Sequence, residues 1–185
     1  MAQALDVAVV GPEMTRWRTL CFMLLILAVG FLPGCRQSLS TTPDEELPLK
    51  PVTGPDRSTG RQQASIELTD RGRQLLESGR WEEATSVFQK AISLFPSNPY
   101  PYYYLAKARY LQQEYPKALP LLGQAERFLG GDPVWLSRVY VLRGSTYEAL
   151  SRFAEARKQY EQALSQDPGN PVAREAIERI NNGAD

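Results

Sequence analysis

The densest run of chemistry-bearing side chains lies at 100–110, where YPYYYLAKARY places five tyrosines in eleven residues. Tyrosine combines a large apolar ring, a polar tip and little rotamer entropy to lose, which suits a surface that grips another molecule. The competing use of such rings is simply to fill space between helices. Carboxylates at Glu82-Glu83 and Glu155 could be read as acid–base pairs. They sit at helix starts, however, where an acidic side chain favours the helix dipole. The chain has no histidine, so the commonest general base and metal ligand are missing. Its two cysteines, Cys21 and Cys35, both fall in the N-terminal segment, which leaves no zinc site of four cysteines or of paired cysteines and histidines. No glycine-rich phosphate loop or Ser/His arrangement occurs. Neither a cofactor nor a metal is expected, and the predicted class is an interaction protein, not an enzyme. Basic and acidic residues balance at 21 each, so no charge excess points to nucleic acid.

The elements that must position these side chains repeat along the chain. Trp81, Ala84, Phe88 and Ala91 recur as Tyr115, Ala118, Leu122 and Ala125, and again as Phe153, Ala156, Tyr160 and Ala163. The first step is 34 residues and the second 38. Four extra residues are about one helical turn, so the helix faces stay in register. Self-similarity at this period predicts a stacked, all-α repeat, an α-solenoid of helix–turn–helix units. Helices are expected at 66–78, 81–95, 99–112, 115–129, 133–150 and 152–166. Gly79 suits the first turn, and Asn98-Pro99, Asp132-Pro133 and Asn170-Pro171 read as an N-cap followed by proline. A seventh, amphipathic helix at 171–182 covers the end of the stack. Val172, Ala176, Ile177 and Ile180 lie on one side of it, and Arg174–Glu178 and Glu175–Arg179 are spaced as i,i+4 pairs on the other. Pro120 falls inside the helix at 115–129 and is expected to bend or loosen it.

This pattern resembles the tetratricopeptide repeat, a helix–turn–helix unit of 34 residues. Units are expected at 65–98, 99–132 and 137–170. Gly72, Ala84, Phe88, Ala91 and Pro96 match the family's small, aromatic and proline positions in the first. Ala106, Tyr115, Ala118 and Ala125 do so in the second. Tyr140, Gly144, Tyr147, Phe153, Ala156, Tyr160, Ala163 and Pro168 do so in the third. Small residues let paired helices approach, and aromatics fill the gap between pairs. Arg71 and Arg143 stand where leucine is usual, Arg109 where an aromatic is usual and Gly130 where proline is usual. The resemblance implies a concave groove lined by the first helix of each unit. By position this places Thr69, Arg73 and Glu77; Tyr100, Tyr103, Lys107 and Tyr110; and Arg138, Val141, Ser145 and Glu148 on the groove. Arg73, Tyr100, Tyr103, Lys107, Tyr110 and Arg138 are the expected partner-binding set. Family members that hold a C-terminal carboxylate use a Lys and Asn clamp. Thr69, Arg73 and Tyr104 stand in its place, so that activity is not implied.

The N-terminus carries a different signal. Residues 20–32, LCFMLLILAVGFL, form an uncharged run preceded by Arg16 and Arg18. It is short of the roughly 20 apolar residues a spanning helix needs and reads as a secretory signal over 1–34, with Met14 a possible true start. Leu32-Pro33-Gly34-Cys35 resembles the lipobox of bacterial lipoproteins, which implies acylation of Cys35 and a membrane anchor. A plain cleaved signal or an uncleaved anchor is the alternative. From 35 to 63, Pro43, Pro48, Pro51 and Pro55 and a scarcity of apolar residues predict a disordered tether, with the folded domain at 64–185. Together these features imply an adaptor for other envelope proteins, lipid-anchored in a bacterial cell envelope, with the outer membrane favoured where there are two. Pilus or secretion assembly, or outer-membrane biogenesis, would be the process. The alternative is a module contacting peptidoglycan or another carbohydrate, with the tyrosines stacking on sugar rings.

Overall fold

The computed structural model describes Leu49 and residues 59–183. The apolar run, Cys35 and most of the expected tether lie outside the described residues. Seven α-helices and no strand occur among those described: α1 Thr59–Glu77, α2 Trp81–Leu94, α3 Pro99–Leu111, α4 Tyr115–Phe128, α5 Pro133–Ala149, α6 Phe153–Gln166 and α7 Pro171–Asn182. Consecutive helices pack as antiparallel pairs, α1 on α2, α3 on α4 and α5 on α6. Each pair leans on the next, and α7 covers α6. The result is an all-α solenoid.

The pairs close through alanines. Ala84, Ala91, Ala106, Ala118, Ala125, Ala156 and Ala163 are all fully buried, which lets the backbones approach. Phe88 and Tyr160 fill the remaining space opposite Gly72 and Gly144. A Cβ on Gly72 would collide with the Phe88 ring, and one on Gly144 would lie 2.7 Å from the Tyr160 ring. The turns within the pairs are equally regular. Gly79, Gln113 and Ser151 occupy equivalent positions, and all three adopt positive φ, at 75°, 60° and 59°. The residue after each donates its N–H to a carbonyl five back, Arg80 to Leu75, Glu114 to Arg109 and Arg152 to Tyr147. That bond satisfies carbonyls the helix end leaves free.

The proline-led helices start as the caps predict. The Asn98, Asp132 and Asn170 side chains accept from Tyr100 N, from Val134 and Trp135 N, and from Ala173 N. In the first and third pairs the cap also belongs to a buried lock. Ser65 Oγ donates to the Ala91 carbonyl at 2.9 Å and accepts from Asn98 Nδ2 at 3.0 Å. Ser137 Oγ, Ala163 O and Asn170 Nδ2 repeat this at 3.1 and 3.0 Å. The middle pair has Pro99 at the serine position and so lacks this serine lock, while the Asp132 side chain caps α5.

Two expectations are corrected. Helix α1 begins at Thr59, so 59–63 belongs to the folded domain and not to the tether, and the start at 66 falls inside the helix. Arg179 does not pair with Glu175; it crosses to Glu148 of α5, while Arg174 donates to the Pro168 carbonyl. Helix α4 contains Pro120 and runs as one element, its apolar face held by buried Ala118, Leu122 and Ala125. Two of the three unusual arginines find polar partners. Arg143 Nη2 donates to Glu126 of α4 at 2.7 Å, and Arg109 Nη1 donates to Glu114 at 2.6 Å. Arg71, on the first helix pair, is exposed.

Candidate functional site

Helix α1 touches α3, and α3 touches α5, so the first helices of the three pairs form one inner row. Along this row Arg73, Lys107, Tyr110 and Arg138 are half-buried. The Arg73 guanidinium sits 6.0 Å from the Tyr104 ring centre and 3.5 Å from the Asp70 carboxylate. That of Arg138 lies 5.3 Å from the Trp135 ring. Cations held against aromatic faces are positioned without losing their charge.

The tyrosine-rich run divides between two tasks. Tyr100 and Tyr103, expected on the ligand surface, are only 4% and 7% exposed. They pack against Trp135 of the next pair, with ring centres 4.8 and 5.5 Å apart, and Tyr104 joins them at 6.1 Å. Three tyrosine rings around one indole form the seam between the second and third pairs, so Tyr100 and Tyr103 act in packing and are corrected as contact residues. The physical reason is that α5 starts four residues early relative to α3. The added turn brings Trp135 over the tyrosines and covers them. Trp135 was not anticipated; its place within that four-residue insertion was the available signal. Tyr102 turns outward to stack on Phe128 and donates its hydroxyl to the Pro96 carbonyl at 3.0 Å. Thr69, also expected on the groove, is fully buried and donates to the Ser65 carbonyl.

Tyr110 remains on the inner row. Its ring meets Tyr115 edge-on at 5.4 Å, and burial pushes its hydroxyl pKa up, with the Glu148 charge adding to the shift. Glu148 accepts from Tyr160 at 2.9 Å and from Arg179 at 2.9 Å. Burial drives the Tyr160 pKa well above the ordinary phenol range. A second polar junction joins the middle and third pairs. Glu126 accepts from Tyr140 and Arg143 at 2.7 Å each. Burial and the bond to Glu126 raise Tyr140 to about 12. At Glu126 burial works upward, but the two donors outweigh it and hold the carboxyl below its ordinary value. Among the described residues no group of three or more His, Cys, Asp or Glu is placed to hold a metal ion. No described helix is long and apolar enough to cross a membrane.

The repeats themselves decide the family. A family model for the TPR repeat matches residues 72–113, and one for the tetratricopeptide repeat matches 137–170. The chain is a tetratricopeptide repeat protein. Solved structures agree on the fold. The Arabidopsis OM64 TPR domain superposes with a TM-score of 0.62 at 24% identity, over 67% of this chain and 99% of that one. The second TPR domain of human RPAP3, in complex with an HSP70 peptide, gives 0.60 at 25% identity, over 66% and 98%. The Yersinia enterocolitica type III secretion translocator chaperone SycD gives 0.60 at 17% identity, over 66% and 96%. As a tetratricopeptide repeat fold, the domain is of the kind that serves protein–protein interaction.

Proposed function

We propose that this tetratricopeptide repeat protein is an adaptor in a bacterial cell envelope, tethered to a membrane through acylated Cys35 and presenting its inner helical row to a segment of a protein partner. The carrying observation is that Arg73, Lys107, Tyr110 and Arg138 stand half-buried on three neighbouring helices, where each can contact a bound chain while its stem is held by packing. The RPAP3 domain, whose structure includes an HSP70 peptide, supports a peptide as the bound element. Reach comes from the proline-rich segment, and the anchor from Leu32-Pro33-Gly34-Cys35. Pilus or secretion assembly and outer-membrane biogenesis are the processes proposed, with the periplasmic face of an outer membrane as the site. The carbohydrate alternative loses its main support, because the Tyr100 and Tyr103 rings it would stack on sugars are already buried against Trp135.

The test is a photo-crosslinking amino acid placed at Lys107 or at Gln124 of the full chain in intact cells. Gln124 is exposed on α4 and serves as the outer-face control. Adducts to a discrete protein from position 107 and none from 124 are expected. Equal labelling from both overturns the inner-row assignment. Mass spectrometry of the mature N-terminus checks the anchor separately, and an unmodified Cys35 thiol overturns it.

A further inference from the structure

Glu148 of α5 occupies the twelfth position of its unit, as Tyr110 does on α3, so the two are successive steps along the inner row. Its side chain is only 17% exposed. Tyr160 donates its hydroxyl to one carboxylate oxygen at 2.9 Å, with Ser145 Oγ 3.1 Å from that hydroxyl. Arg179 Nε donates to the other at 3.1 Å, and Arg179 Nη2 reaches both at 2.9 Å. A carboxylate this withdrawn from water needs a counter-charge.

The cation that supplies it comes from an unexpected place. Helix α7 docks on α6 through Ala173, Ala176, Ile177 and Ile180, and Arg179 only leans out from that contact, 59% exposed. An ion pair open to solvent on its cationic side is cheap to exchange. Tyr110 holds the equivalent place on the neighbouring α3, and the Glu148 and Arg179 charges act on its hydroxyl in opposite directions. A carboxylate that accepts parallel N–H donors is matched to a planar guanidinium, and less well to an ammonium.

We propose that Glu148, held by Tyr160 and one repeat along the inner row from Tyr110, is a binding site for an arginine side chain of the partner, and that Arg179 occupies it until that arginine replaces it. The assignment of this arginine to a partner rests on the inner-row reading above. The α7 helix then reports occupancy: when a partner's guanidinium enters, α7 keeps its apolar contact with α6 and loses only its charged tie.

The experiment titrates N-acetyl-L-arginine amide into the full chain in detergent micelles, carrying Arg179→Gln, while the NMR resonances of Tyr110, Glu148 and Tyr160 are followed. Saturable shifts confined to these residues are expected. The lysine analogue should bind about tenfold more weakly, because it lacks the second parallel donor. Adding Glu148→Gln should abolish the shifts. In the wild-type chain the same probe in excess should move the Arg179 Nε–H resonance towards its solvent-exposed position, which decides the matter should Arg179→Gln unfold. Absent or non-saturating shifts in a folded Arg179→Gln chain overturn the site, as do equal shifts with Glu148→Gln added. An unmoved wild-type Arg179 resonance overturns the exchange. No partner protein enters this titration, so its failure leaves the Lys107 crosslinking result standing, and the reverse also holds.

Discussion

Gly72 and Gly144 show how much of this fold is decided by one missing methyl group. Each lies flat against an aromatic ring of its partner helix, and a Cβ on Gly144 would stand 2.7 Å from Tyr160. The ring cannot retreat freely, because its hydroxyl is tied to Ser145 and Glu148. Gly144→Ala is therefore expected to destabilise the domain by about 1–3 kcal/mol, as overpacking does, measured as a lower midpoint in urea unfolding. The turns give the opposite sign. Gln113 and Ser151 hold the left-handed conformation that Gly79 adopts without a side-chain penalty. Replacing either by glycine relieves that strain, against some loss of chain entropy, and should raise stability by about 0.5–1 kcal/mol. Thermal melts of Gln113→Gly and Ser151→Gly check this, and unchanged or lower midpoints would show that the conformation is not costly here. Both glycine-to-ring contacts involve residues that the repeat pattern had singled out. The strained turns were less legible. Glutamine and serine carry no sign of positive φ, and only alignment of 113 and 151 with Gly79 exposes them.

At the scale of helices and their pairs, caps and boundaries followed the local chemistry. Asn98, Asp132 and Asn170 cap α3, α5 and α7 because a short side-chain oxygen followed by proline suits a helix start. The early start of α1 at Thr59 was hidden because RQQAS beyond it is polar. A helix that overhangs its partner needs no apolar stripe there. The serine–asparagine locks were also hidden. Their members are 26 and 33 residues apart, and each looks like an ordinary surface residue until the pairs fold. Their energetics follow from burial. Ser137→Ala strips the Ala163 carbonyl and the Asn170 amide of a partner where water is excluded or scarce. It should cost about 1–3 kcal/mol. Because the lock fastens the start of α7, amide exchange should quicken in α7 and the end of α6 before it does in α1 and α2. Uniform acceleration along the chain would mean that the lock stabilises the stack as a whole and not its last joint.

Taken whole, the molecule is a row of pairs in which each touches only its neighbours, so its cooperativity is only as good as its seams. The two inner seams are built differently. Between the first and second pairs, Phe88 stacks on Tyr104 at 5.9 Å, beside the Asn98 lock. Between the second and third, one indole is ringed by Tyr100, Tyr103 and Tyr104, and the Glu126–Tyr140–Arg143 junction lies on the same interface. The period showed that these pairs must stack. It did not show which side chain joins them, because the tyrosines' partner sits in the inserted turn, where the repeat offers no template. Trp135 is 1% exposed, and its replacement by alanine leaves a cavity bordered by three rings. Losses of about 3–5 kcal/mol are usual for such a change. In a globular core that would lower a single transition. Here the loss falls on one nearest-neighbour contact, so α5–α7 should unfold ahead of α1–α4 and split the urea transition in two. Hydrogen exchange under mild denaturant distinguishes the halves. A single coincident transition in Trp135→Ala would mean that the polar junction alone suffices to couple them. In that case Trp135→Ala combined with Glu126→Gln should produce the split.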